Sequence, residues 1–218
     1  MLNGAMTQMN ARSMLRQRRR DAVSDTLLDA AEHVIGREGY DGATMQDIAK
    51  EAGCAAGTLY LYFKTKEELF SAMAAKHAQA IMQLLYAAMD QVADPVEKLR
   101  LSYNAYLDYM HAHPGFFRIF YTSGPGSRAS LQASLQGKAL EVYRDYRRQE
   151  ISLVSQAQQA GKVRADIPAE ELVEFMHGIG QTACARWITG VAAPANAEQM
   201  RLLWEMIKSI LGVKEKKH

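Results

Sequence analysis

Cysteine is scarce in this sequence, and long apolar runs do not occur in it. The 218 residues include only two cysteines, Cys54 and Cys184, which lie far apart and show no metal-ligand spacing. We therefore expect reduced thiols and a cytoplasmic setting. Because no run reaches about 18 apolar residues, we expect no membrane-spanning helix and no membrane partner. The first residues, up to Met14, are polar and Met-rich and lack the apolar stretch of a signal peptide.

Catalytic motifs are also lacking. The sequence contains no G-x-S-x-G elbow, H-E-x-x-H motif, phosphate loop or dinucleotide fingerprint. His111 and His113 are two residues apart, so on a helix they point to different sides, and no complete ligand set is evident around them. We therefore predict that the chain is not an enzyme and that it holds neither a metal nor a cofactor.

Charge is nearly balanced overall, at +2, but it is unevenly distributed. Five arginines fall between Arg12 and Arg20 with no acidic residue among them, whereas Asp21 to Glu51 carries eight acidic residues and two basic ones. Any nucleic-acid footprint must therefore be local. The arginine run has two open interpretations, a solvated disordered arm or a set of phosphate contacts.

Apolar residues recur at intervals of three and four throughout, and no segment alternates as a strand does, so the sequence predicts an all-α fold. Thr44 with Asp47, and Thr65 with Glu68, are typical of helix N-termini, as is the run Asp94-Pro95-Val96-Glu97. Glycine stops are expected at Gly39, Gly53 and Gly161. The later helices are predicted over residues 127–159, 168–188 and 197–211.

Two short helices joined by a tight turn that contains glycine predict a helix-turn-helix between about Met45 and Lys64. Ala49 and Gly53 are small enough for the helices to cross closely. Leu59 and Phe63 supply an apolar anchor beneath the second helix.

Four pieces of sequence then follow in order, Leu27–Ala31, Gly39–Tyr40, Ala43–Gly53 and Gly57–Leu69, and no gap is needed to align them with one family pattern. Together they resemble the TetR/AcrR (tetracycline-repressor) family of transcriptional regulators. The resemblance implies an N-terminal three-helix DNA-binding domain with a helix-turn-helix, followed by a helical ligand-binding and dimerisation domain. It also implies a sequence-specific DNA-binding regulator, most often a repressor that a small ligand releases from a palindromic operator.

Two positions depart from the family pattern. Ala55 stands where a Ser or Thr usually caps the recognition helix, and Leu61 stands where a polar residue is common. We therefore expect specificity to depend on thymine methyl contacts, Thr58 and DNA shape. The residues expected at the DNA are Arg16, Arg18, Arg19, Arg20, Thr44, Ala55, Ala56, Gly57, Thr58, Tyr60, Leu61, Tyr62, Lys64 and Lys66.

Aromatic residues are frequent between Asp94 and Gln159, which suits a mostly apolar ligand with a few polar groups, although many of these residues are expected to be ordinary core. The predicted ligand-binding residues are Tyr103, Tyr106, Tyr109, Phe117, Phe120, Tyr143 and Tyr146.

The resemblance also implies that the last two helices pair with those of a second copy in a four-helix bundle. An alternative is that their apolar stripes pack only within one subunit. The predicted dimer residues are Phe175, Met176, Ile179, Ala183, Trp187, Leu203, Trp204 and Ile207.

The predicted organisation is a flexible basic arm (1–20), a helix-turn-helix domain (21–66), a ligand-binding and dimerisation domain (67–213) and a tail (214–218). The expected partners are double-stranded operator DNA, a second copy of the chain and an unknown small-molecule effector. The expected location is the bacterial cytoplasm, on the nucleoid. The competing interpretation is a ligand carrier that has lost DNA binding.

Overall fold

The structure, a computed structural model, describes residues 2–122, 137–190 and 197–214, without the side chains of residues 2–12, 119–122, 138, 139 and 197. Every regular element in these ranges is an α-helix, which confirms the predicted all-α class. The helices are α1 (Leu2–Gly42), α2 (Met45–Glu51), α3 (Ala56–Tyr62), α4 (Lys66–Met89), α5 (Pro95–Ala112), α6 (Pro114–Thr122), α7 (Gly137–Gln159), α8 (Ala169–Ile188) and α9 (Ala197–Leu211).

The chain forms two compact units, Met1–Met73 and Ala74–His218, and the boundary between them falls within α4. Of the helices in the described ranges, none combines the length and the apolar composition needed to cross a bilayer.

In the first unit, α2 packs against both α1 and α3. The core of this unit is apolar, and it is formed by hydrophobic side chains that are fully buried. They include Leu27, Ile35, Ile48, Leu59 and Leu69.

The N-terminal segment is helical in the structure. Residues 1–20 are predicted as a flexible arm, yet α1 is helical from Leu2 onward. No Gly or Pro interrupts residues 5–35, and the arginines, leucines and alanines there are strong helix formers. The Gln17 side-chain amide also donates to Asp21 one turn later, at 2.8 Å. Helix propensity therefore outweighs the mutual repulsion of the arginines.

The predicted stop at Gly39 is present as a break inside α1. Gly39 has φ 77° and ψ 165°, a non-helical conformation that only glycine adopts easily. The amide of Ala43 then donates to the Gly39 carbonyl at 3.1 Å. The chain thereby turns out of the long helix and into Thr44, the cap of α2.

In the second unit, α5 packs on α7, α7 on α8, and α8 on both α6 and α9. Its buried core includes Leu99, Leu107, Met110, Leu153 and Leu172. The predicted ends of the last two helices agree with the structure to within one residue. Of the long helix predicted over 127–159, the structure describes the part from Gly137 onward, and residues 123–136 lie outside the described ranges.

Asp94 ties two loops of the second unit together. Its Oδ1 accepts from the amides of Val96 at 2.9 Å and Glu97 at 3.3 Å, and its Oδ2 pairs with the Lys162 ammonium. Burial opposes ionisation of this carboxyl, but the hydrogen bonds from Lys162 and the two amides outweigh it. The pKa of Asp94 is therefore lowered.

We predict that Asp94→Ala lowers the free energy of unfolding at pH 7 by about 1 kcal/mol, the usual cost of losing an N-cap. The half-exposed ion pair with Lys162 adds little to this. Since the folded pKa is depressed, the stabilisation is complete above the unfolded pKa of about 3.9 and is lost as pH falls through the folded value. Urea denaturation across this range measures both effects. Asp94→Asn, which keeps the cap, should lose less, and equal losses in the two variants would contradict the assignment.

Candidate DNA interface and ligand cavity

The turn of the helix-turn-helix is built on Gly53. This glycine has φ +67°, and its amide donates to the Lys50 carbonyl at 3.1 Å, while the next amide, of Cys54, donates to Ala49 at 2.9 Å. This pair of bonds is a Schellman motif, which requires a left-handed residue at its centre. The turn directs the chain from α2 into α3 at a fixed angle.

Helix α3 is anchored by its buried face and not by a cap. Ala55 occupies the N-cap position in extended conformation, and no side chain caps the helix there. The buried Leu59 and Phe63 hold α3 on the core of the first unit, and the amide of Phe63 closes the helix on the Leu59 carbonyl at 2.9 Å.

The opposite face of α3 is exposed and largely apolar. Leu61 is 72% exposed and Tyr60 38% exposed, while Thr58, Ala56 and Tyr62 are half-buried. Ala55, Gly57 and Lys64 are also exposed. The Lys64 ammonium donates to the Tyr60 carbonyl at 2.8 Å, which keeps this cation beside the exposed face.

Arg16, Arg18, Arg19 and Arg20 of α1 are exposed, and one of them lies at α3. The Arg20 guanidinium carbon is 5.9 Å from the centre of the Tyr62 ring, within cation–π distance. Arg16 lies one turn before Arg20 and so shares its helix face.

Two predicted DNA residues serve the local structure. Thr44 caps α2: its hydroxyl oxygen accepts from the Asp47 amide at 3.1 Å, and its hydroxyl donates to the Asp47 carboxylate. The Lys66 ammonium donates to the carbonyls of Tyr40 at 2.7 Å and Ala43 at 3.1 Å, and it lies 4.6 Å from the centre of the Tyr40 ring. This ammonium thus satisfies carbonyls at the place where α1 breaks, and a contact of Lys66 with DNA stays a prediction.

The second unit encloses an apolar cavity of about 130 Å³ between α4, α5, α6, α7 and α8. Most of its wall is aliphatic or aromatic. The polar atoms belong to four tyrosine hydroxyls, one imidazole and one amide. The lining residues are Ala74, Ala78, Ile81, Met82, Tyr103, Tyr106, Phe116, Phe117, Val142, Tyr143, Tyr146, His177, Gly180 and Gln181.

The predicted ligand residues fall into three groups. The cavity is lined by Tyr103, Tyr106, Phe117, Tyr143 and Tyr146, whose contact with a ligand stays a prediction. The side chain of Tyr109 is not part of this lining, and its hydroxyl lies 2.8 Å from His77 Nδ1. The side chain of Phe120 lies outside the described residues.

The walls contributed by α4 and α8 were missed by the sequence reasoning. Ala74, Ala78 and Ile81 recur at helical spacing on α4. This spacing is visible in the sequence, but any helix face that packs on a core shows it, so it does not indicate a cavity. His177 and Gly180 on α8 gave no local signal, since their role depends on the opposite wall.

A polar cluster lies behind one wall of the cavity. Glu150 is buried, and it accepts from the Tyr146 hydroxyl at 2.6 Å and lies 2.6 Å from His177 Nε2. Arg147 Nη1 is 3.9 Å from the same carboxylate, and Arg147 Nη2 pairs with Glu174. Burial raises the pKa of the Tyr146 hydroxyl well above its usual value, and the charge of Glu150 raises it further. This phenol therefore stays protonated at neutral pH.

Tyr103 reaches across the cavity to α8. A Cβ atom at Gly180 would overlap the Tyr103 hydroxyl and lie 2.8 Å from its Cζ, so the Tyr103 side chain can take this position only because residue 180 is glycine. Burial raises the pKa of Tyr103 well above its usual value.

The residues predicted at the dimer interface differ in their burial within one subunit. Met176, Leu203 and Ile207 are buried within one subunit, because the strongest apolar stripe of each helix packs on its own core. Ile179, Ala183, Trp187 and Trp204 are half-buried. The exposed apolar side chains on these helices are Phe175 at 56%, Leu202 at 48% and Met206 at 54%.

Comparison with known proteins agrees with this architecture. Residues 27–73 match the family described as bacterial regulatory proteins, tetR family. This segment, which contains the helix-turn-helix, is similar to the TetR family. An uncharacterized HTH-type transcriptional regulator of Mycobacterium tuberculosis is 31% identical over 111 residues, which cover 51% of this chain and 55% of that protein. The chain thus spans about half the length of the curated relatives it matches first.

Solved structures share the fold of this chain at low identity. The fatty acid degradation regulator FadR from Bacillus halodurans has a TM-score of 0.70 and 23% identity over 86% of this chain and 94% of that one. The transcriptional regulator FadR from Bacillus subtilis, solved in complex with stearoyl-CoA, has a TM-score of 0.68 and 21% identity over 87% and 98%.

We predict that Gly180→Ala destabilises the protein by about 1–3 kcal/mol, because overpacking against the buried Tyr103 outweighs the gain of about 1 kcal/mol in helix propensity. Thermal unfolding of Gly180→Ala, Tyr103→Phe and the double variant forms a double-mutant cycle. The double variant should recover part of the loss, since it removes the overlapping hydroxyl. Strict additivity of the two losses would contradict the contact.

Proposed function

We propose that this protein is a sequence-specific, DNA-binding transcriptional regulator, a repressor released from a palindromic operator by a small, mostly apolar ligand. The observation that carries the proposal is the exposed face of α3 in the segment that matches the TetR family. A leucine that is 72% exposed on a seven-residue helix has no role in the core of its own unit. It is suited to a partner surface.

The chemistry of this face suits bases that offer methyl groups. Leu61 and Ala56 cannot hydrogen-bond base edges through their side chains, but apolar side chains contact the thymine methyl in the major groove. Thr58 and Tyr60 add hydroxyl groups, and Lys64 adds a cation for phosphate. We propose that DNA shape supplies the remaining specificity.

The basic part of α1 extends this interface. Because this part of α1 is helical, Arg16 and Arg20 lie on the same face of the helix, and Arg20 lies beside Tyr62. We propose that these arginines follow phosphates or enter a minor groove flanking the recognition helix.

The cavity of the second unit is the proposed effector site. Its wall is mostly apolar and carries few polar groups, as small-molecule sites usually do. The similar structure of FadR from Bacillus subtilis was solved with stearoyl-CoA, a molecule with a long apolar chain. An apolar effector for this chain is consistent with that neighbour.

A second copy of the chain is the proposed partner of α8 and α9. Phe175, Leu202 and Met206 expose apolar area on neighbouring helices, and burying it in a four-helix bundle would remove it from water. A dimer would present two recognition helices to half-sites about 34–36 Å apart. Ligand binding would then change operator occupancy through a coupling of about 1–3 kcal/mol. We place this activity on the nucleoid of the bacterial cytoplasm.

One observation favours a second candidate, a ligand carrier without DNA binding. Ala55 provides no side-chain cap, and the exposed face of α3 is poor in hydrogen-bonding groups. A carrier should show no salt-dependent affinity for duplex DNA, whereas a regulator should show a steep dependence.

We predict that selection from random duplex DNA at two salt concentrations enriches a palindromic motif rich in A·T pairs. On that motif, Lys64→Ala should weaken binding and reduce the slope of log affinity against log salt by about 1, as expected for one lost phosphate contact. Lys214→Ala, an exposed lysine of the second unit, is the matched control and should change neither quantity. Uniform weak binding without enrichment would favour the carrier.

We also predict that Phe175→Asp or Met206→Asp converts the protein from dimer to monomer in sedimentation velocity while the helical circular dichroism is retained. A buried carboxylate without a partner is strongly unfavourable in an apolar interface. Leu84→Asp, at an exposed leucine of α4, is the control and should leave the dimer intact. A dimer that persists in both α8 and α9 variants would place the interface elsewhere.

A further inference from the structure

The polar wall of the cavity depends on a carboxylate that does not itself line it. Glu150 is 2% exposed, and its two oxygens face Tyr146 and His177, each at 2.6 Å. Tyr146 and His177 do line the cavity, so the carboxylate lies directly behind them. A ligand against this wall therefore meets groups already oriented by Glu150.

This arrangement restricts the hydrogen bonds open to a ligand. Tyr146 has one hydroxyl proton, and it is donated to Glu150. Its phenolic oxygen can then only accept. A carboxylate oxygen also only accepts, so His177 Nε2 is the nitrogen that donates to Glu150, and that proton is not available to a ligand.

The charges around the wall act in the same direction. Of the two carboxylates near Arg147, Glu150 is 2% exposed and Glu174 is 69% exposed, so Glu150 carries the carboxylate charge that is buried next to the wall. The Nη2 of Arg147 pairs with Glu174, and its Nη1, which is buried and has no hydrogen-bond partner among the described residues, lies 3.9 Å from Glu150. A ligand carboxylate here would meet repulsion in a medium of low dielectric constant.

The other polar groups of the wall do not oppose this preference. The hydroxyls of Tyr103, Tyr106 and Tyr143 and the amide of Gln181 can each donate or accept, so they adapt to either kind of ligand group. Discrimination therefore comes from the Glu150 side of the cavity.

We infer that the effector is an apolar molecule whose head is a hydrogen-bond donor without negative charge, a hydroxyl or an ammonium, placed against Tyr146 and His177, and that this wall rejects a free carboxylate. The inference rests on the proposed function, because it names the ligand class of the proposed effector site.

The test compares three probes with the same apolar chain: 1-octanol, octylamine and octanoate. Isothermal titration of the full-length protein at pH 7.5 should show 1-octanol and octylamine binding at least tenfold more tightly than octanoate. Octanoate binding as tightly as the other two, or no binding of any of the three, would overturn the inference.

Two variants locate the preference. Tyr146→Phe removes the accepting oxygen and should reduce the advantage of 1-octanol to less than threefold. Glu150→Gln removes the charge at nearly constant size and should raise octanoate affinity toward that of 1-octanol, with circular dichroism and thermal unfolding confirming the fold. Tyr109→Phe, the same change outside the cavity wall, is the control and should retain the wild-type order. If Tyr146→Phe folds and keeps the wild-type order, the inference is wrong.

Binding of the selected DNA is measured on the same preparations. A protein that binds DNA but ranks the three probes equally would overturn this inference alone. A protein that ranks the probes as expected but never enriches a DNA motif would overturn the proposed regulator and leave the ligand class standing.

Discussion

Short helices are not stable in water by themselves, and the proposed DNA interface is made of two short helices. Helices α2 and α3 have seven residues each, whereas isolated helices need about 12–15 residues to be even marginally stable. Their stability must therefore come from packing, through Ile48, Leu59 and Phe63, and from the turn at Gly53. Burying a leucine contributes about 1.5–3 kcal/mol, which exceeds the roughly 1 kcal/mol lost with a missing N-cap. This comparison explains how Ala55 is tolerated at the start of α3, and why the exposed face of that helix is free to vary in chemistry.

Among the described residues, the buried polar and charged side chains lie in the second unit. Glu150 lies in an apolar interior, where an ionised carboxylate is costly unless hydrogen bonds compensate for lost water. Tyr146 and His177 provide two such bonds, and the pair Arg147–Glu174 adds a second link between α7 and α8. A buried ionic cluster is a poor source of net stability compared with apolar packing. Its place behind the cavity wall agrees better with the ligand proposed for that cavity than with a contribution to the stability of the core.

Sequence patterns predicted the architecture because the signals are local. The caps at Thr44 and Asp94 and the glycine at 53 were readable from residue type and spacing, and the structure shows the corresponding hydrogen bonds. The remaining features depend on what lies across from a residue. Lys66 has the charge expected of a phosphate contact, yet nearby carbonyls occupy it. Met176 on α8 and Leu203 and Ile207 on α9 belong to apolar stripes. The sequence of such a stripe does not tell which surface it packs against, and here it packs against the subunit's own core. Likewise, the role of Gly180 exists only because Tyr103 reaches it from α5.

One face of helix α8 borders the cavity, and another face of the same helix is exposed. His177 and Gly180 border the cavity, while Phe175 on the same helix faces outward. Protein interiors are close-packed, so a substitution on α8 that widens or narrows the cavity also shifts the helix and with it the side chains on its outward face. If the proposed effector site and the proposed dimer face are both present, changes of ligand preference and changes of self-association would then arise together during evolution. A descendant of this protein that adapts to a larger effector through α8 would need a compensating change on the outer side of the same helix, and paired substitutions of that kind should mark the divergence of its lineage.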